Sequence, residues 1–69
     1  MDTKADDLEV ISIMVNGGER ICDEAIAKWK SGKYGDNADF VRENVMRWEA
    51  SRRRIRELAK VLKNAVRRQ

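Results

Sequence analysis

Histidine and proline are both absent from this 69-residue chain, and cysteine occurs once, at Cys22. Each shortage removes a class of protein. A single cysteine allows no intrachain disulfide, and without histidine or a second cysteine no zinc site is expected. A lone thiol with no histidine to activate it reads as a small buried apolar residue, not a nucleophile. Paired acids such as Asp23 and Glu24 are adjacent, so on a helix they face different ways. No catalytic constellation, metal or cofactor is expected, and the chain reads as a non-enzyme. Aromatic residues are few, and Trp29 and Trp48 read as core residues rather than base-stacking platforms. No apolar run approaches the ~20 residues of a membrane helix. The opening MDTKADDLE is acidic, unlike the basic lead of an export signal. A cytoplasmic location is therefore expected, in keeping with an unpaired cysteine in a reducing compartment.

What remains is a short, charged chain that buries little apolar surface by itself. Extra core is expected from self-association or from a partner. Charge is unevenly placed. Residues 1–9 carry one basic and four acidic side chains, a net −3, whereas residues 47–69 carry nine basic and two acidic ones, a net +7. The basic half suits an anionic partner, either nucleic acid or an acidic protein surface, or is simply a solvated helix face.

Residues 10–16, VISIMVN, are rich in β-branched side chains and predict a strand. Ile11, Ile13 and Val15 fall on one side of it, and Ser12, Met14 and Asn16 on the other. A second pattern overlaps it. Leu8, Ile11, Val15, Gly18, Cys22, Ala25 and Trp29 alternate in threes and fours, a heptad seam that fits one long helix. Gly17 and Gly18 weigh against that helix, at roughly 1 kcal/mol each relative to alanine. The strand reading is taken here, with a helix over 19–30 after it. A lone strand leaves its backbone groups unpaired, and the chain offers no second one, so its mate is expected from another copy.

SGKYG closes the first helix, with Gly32 as the left-handed cap residue. Asp36 and Asp39 are spaced as a capping box that opens a second helix. Val41, Val45 and Trp48 share one face of it, and Ile55, Leu58, Leu62 and Val66 (or Ala65) continue a stripe. The pattern leaves open whether this is one helix or two meeting near Ser51.

Strand, helix, glycine-bearing turn and helix, with a strand that needs a twin, is the ribbon-helix-helix plan. The expected fold is mainly α, an intertwined β-α-α homodimer with a C-terminal helical extension. Its divisions are a flexible arm over 1–8, a dimerising and DNA-binding unit over 9–48, and a partner-binding helix over 49–69.

The segment SGKYGDNADFVRENVMRWEASRRRIRELAKVL resembles the ParD-type antitoxins of bacterial toxin–antitoxin pairs, through Ser31, Gly32, Lys33, Tyr34, Gly35, Asp36, Asp39, Val41 and Arg42. The resemblance spans roughly residues 10–62. It implies a dimer core of Ile11, Ile13, Val15, Ile21, Ala25, Trp29, Val41 and Val45. It also implies a paired ribbon in the major groove of operator DNA, with Ser12, Met14 and Asn16 at base edges. Lys33 and Asn37, at the start of the second helix, would sit near phosphate. The C-terminal helix would occlude a ParE/RelE-like toxin through Trp48, Arg52, Ile55, Leu58, Leu62 and Val66. The expected function is then an autorepressing antitoxin, a homodimer or higher oligomer. Three features depart from the family: Asn37 and Ala38 replace the usual small-residue pattern, the outward strand positions hold no lysine or arginine, and the C-terminal segment is basic.

The heptad seam supports a different function. If residues 5–31 form one helix, the chain is an α-hairpin turning at 32–36. Hairpins of this size serve as adaptor or co-chaperone subunits and as halves of dimeric four-helix bundles. Such a protein binds a protein partner without DNA.

Overall fold

The computed structural model describes residues 3–69. It is an antiparallel hairpin of two long helices, α1 over Thr3–Lys30 (28 residues) and α2 over Ala38–Arg67 (30 residues). No strand occurs among the described residues. The expected ribbon-helix-helix fold is therefore corrected: the Val10–Val15 run lies in the middle of α1.

The reason is a competition between propensity and satisfaction. A strand here has no mate within the chain, whereas a helix closes every interior hydrogen bond on itself. Packing then decides between them. At helical spacing, Leu8, Ile11, Val15, Gly18, Cys22, Ala25 and Trp29 all turn toward α2 and are buried or half-buried. The β-branched preference, worth at most ~1 kcal/mol per site, yields to that seam. Ile13 and Ile21, expected in a dimer core, stand outward from the single chain at 62% and 60% exposure. Ile11, Ile13 and Val15, which a strand would align, are split between faces by the helix.

Gly18 explains part of the glycine cost. A β-carbon there would meet Ile55 Cδ1 at 3.0 Å, so the missing side chain lets α2 approach closely. Gly17, its neighbour, faces open space.

The turn is built from short-range bonds. Ser31 Oγ donates to the Lys28 carbonyl at 2.7 Å, and the Gly35 amide donates to the Gly32 carbonyl at 3.1 Å. Gly32 and Gly35 take φ of +83° and +116°, values that favour glycine. Trp29 roofs the turn, its ring centroid 4.4 Å from Tyr34 and 5.4 Å from Phe40. The cap of α2 is Asn37 rather than Asp36. Asn37 Oδ1 accepts from the Phe40 amide at 3.1 Å, from an extended backbone. From there α2 runs unbroken through Ser51 to Arg67.

The divisions expected at 8/9 and 48/49 thus fall inside continuous helices. Of the arm over 1–8, residues 3–8 are the first turns of α1, and residues 1 and 2 lie outside the described residues. Among the described residues, only Cys22, Val45 and Ala59 are buried apolar residues, at 2%, 8% and 7% exposure. No described helix is long and apolar enough to cross a membrane.

Candidate interaction surface

The two long sides of the hairpin differ in chemistry. On one side, two ion pairs bridge the helices. Arg52 donates to Asp23, and the Arg56 Nε–H donates to Glu19. In both pairs the residue numbers add to 75, which fixes how the helices sit alongside each other. The hydrogen bond to Glu19, and then the carboxylate's charge, hold the Arg56 guanidinium above its ordinary pKa, with Asp23 adding to the effect. A cation whose pKa is raised by folding contributes stability below its unfolded pKa. That contribution is lost only as pH climbs through the folded value, so it is constant across the neutral range. Asn16 borders the same side, beside Glu19, Arg20, Asp23, Glu24 and Ala27. Glu19 and Asp23 of this lining are matched by Arg56 and Arg52, which leaves Glu24 beside Arg20.

The other side is apolar. A groove of about 190 Å³ runs between the helices, lined by Ile11, Met14, Val15, Gly18, Ile55, Ala59 and Leu62. Successive residues advance about 100° around a helix. By that step, Val10, Met14 and Ile21 of α1 and Leu58, Leu62 and Ala65 of α2 fall on the groove side. Met14 is 65% exposed and Leu62 50%. The apolar residues cluster in the half of the hairpin away from the turn. Nearer the turn, the same side of α2 carries Asn44, Arg47 and Ser51, which are polar.

The residues expected to read DNA are not brought together. Ser12 and Asn16 lie on the ion-paired side, and Met14 lies in the apolar groove opposite. Lys33 and Asn37 sit in the turn region, roughly 25 Å along the helix axis from Met14. Lys33 donates its backbone amide to Ser31 Oγ at 3.4 Å, and Asn37 is occupied as the cap.

The residues expected to hold a toxin divide in the same way. Trp48, Arg52, Ile55 and Val66 are half-buried and turn toward α1, and only Leu58 and Leu62 stand exposed. Among the expected dimer-core residues, Ile11, Val15, Ala25, Trp29, Val41 and Val45 line the seam between the two helices of one chain.

No protein-family model matches the chain, and no curated protein or solved structure matches it either. Any functional reading therefore rests on the residues themselves.

Among the described residues no group of three or more His, Cys, Asp or Glu side chains could hold a metal ion. Cys22 is buried against α2. The surface that sequence reasoning missed is the groove side. Its signal was nonetheless present: Val10, Met14, Gly17 and Ile21 repeat in fours and threes beside the main seam. The cross-helix ion pairs had no local signal, because their partners are 29 and 37 residues apart.

Proposed function

We propose that the chain is a non-catalytic helical-hairpin interaction module, of the adaptor or co-chaperone kind. It docks a helical protein partner on its apolar side without DNA. One observation carries this reading: the hairpin is closed by ion pairs along one side and left open and apolar along the other. Helix-in-groove recognition uses such a surface, with apolar anchors spaced three and four residues apart. Contiguous exposed apolar patches on small domains mark interaction sites. Operator recognition through a paired ribbon is not carried forward, since its strand segment is helical.

The test is a photo-crosslinking amino acid placed at Met14 or at Asn16 in the full chain, expressed in cells. Protein adducts are expected from position 14 and few from position 16. Adducts concentrated at position 16 would overturn the assignment of the docking side.

A further inference from the structure

The chain exposes more surface than its mass warrants. Its accessible surface is 5537 Å², whereas a compact 8.0 kDa monomer exposes about 4,450 Å² by the scaling of area with mass. The surplus of about 1,100 Å² is comparable with the roughly 800 Å² that each partner buries in a standard stable interface. The radius of gyration is 15.9 Å, against about 11 Å for a compact chain of this length. The Cα trace measures 53 × 16 × 8 Å, so the molecule is a single layer of helices. Domains close a core between two layers, and here the second is missing.

We propose that a second copy of this chain supplies that layer. Two hairpins stack through their apolar sides, with α1 of each copy against α2 of the other. The inference rests on the reading of the apolar side as a docking surface. Area is the first support, as above. Charge is the second. Within the described helices, α1 carries four basic and six acidic residues, a net −2, and α2 nine basic and four acidic, a net +5. Stacking α2 on α2 would set like charge against like, whereas the crossed arrangement sets acidic helix against basic. Symmetry is the third. A two-fold interface must be self-complementary. By the register of the ion pairs, Val10 of α1 is level with Ala65 of α2, and Met14 lies within one residue of the level of Leu62. A two-fold axis parallel to the helices therefore brings Met14 of one copy level with Leu62 of the other.

Sedimentation equilibrium of the purified full chain, across a hundredfold range of concentration, tests the proposal. The expected mass at the upper end is twice the 8.0 kDa of one chain. Leu62→Asp and Met14→Asp are expected to raise the dissociation constant about tenfold or more, and Asn16→Asp to leave it unchanged. If the aspartate variants unfold, a second readout remains. A Met14→Cys chain is mixed with a Leu62→Cys chain under mild oxidation, where the buried Cys22 does not compete. The mixed disulfide is expected to outpace both self-disulfides. Dominant self-disulfide of the Met14→Cys chain would place α1 on α1 and overturn the arrangement. A folded monomer at every concentration would overturn self-association. If that monomer still gave protein adducts from position 14 in cells, the docking surface would stand and only its occupant would be wrong.

Discussion

Gly18 and Ile55 meet across the two helices, with the Ile55 Cδ1 methyl 3.0 Å from the place a β-carbon on Gly18 would take. Gly17, one residue earlier, has nothing within 4 Å of that position. The two glycines therefore respond differently to the same change. Gly17→Ala is expected to stabilise the single chain by about 0.5–1 kcal/mol, because helix propensity favours alanine and nothing within the chain opposes a β-carbon there. Gly18→Ala gains the same propensity but must displace Ile55, and the net is expected near zero. Gly18→Leu overfills the gap and is expected to cost about 1–3 kcal/mol. Urea unfolding followed by circular dichroism, at one fixed protein concentration, separates the three. Equal gains at both glycines would mean that the helices are not in contact at Gly18.

The Arg52–Asp23 bridge lies at the surface, and exposed bridges contribute little. A double-mutant cycle of Arg52→Ala and Asp23→Ala is expected to return a coupling of roughly 0.2–1 kcal/mol at low salt. The coupling should shrink as salt shortens the reach of the charges. A coupling several times larger, and insensitive to salt, would place this side in a desolvated interface and contradict the assignment of the docking side.

Asn37 caps α2, and Asp36 does not. Asn37→Ala is expected to cost about 1 kcal/mol, and Asp36→Ala much less. Thermal unfolding of the two variants decides the matter. A larger loss at Asp36 would restore the capping box at 36 and 39.

The net charge of +5 on α2 predicts retention on heparin that falls steeply with salt. Neutralising two exposed arginines, Arg47→Gln with Arg54→Gln, should elute the chain at lower salt. Binding to short duplexes should be indifferent to base sequence and unmoved by Ser12→Ala or Asn16→Ala. A sequence preference that depended on Asn16 would require a reading surface that the helix does not assemble.

Much of this fold was legible, but in two incompatible readings. The seam from Leu8 to Trp29 was visible, and so was the β-branched run across it. The structure resolves the conflict in favour of the seam because it buries side chains within one chain, whereas the strand needs a mate. Gly32 was readable as the end of α1 because few other residues accept a positive φ. The cap was misplaced by one residue, since Asp36 and Asn37 are both good caps and only the geometry of the preceding turn selects between them. The site was less legible. Ser12, Met14 and Asn16 align at a period of two, but a period of 3.6 sends Met14 to the opposite side from the others. Glu19 with Arg56 and Asp23 with Arg52 had no signature, because their meeting depends on the length of the turn.

The hairpin folds Thr3 and Arg67 back to the same end, the one nearer Met14 and Leu62, while Gly32 and Gly35 lie at the other. A purification handle or fluorescent protein fused to either terminus would crowd the apolar patch. One inserted between the two glycines would ride some tens of ångströms clear of it.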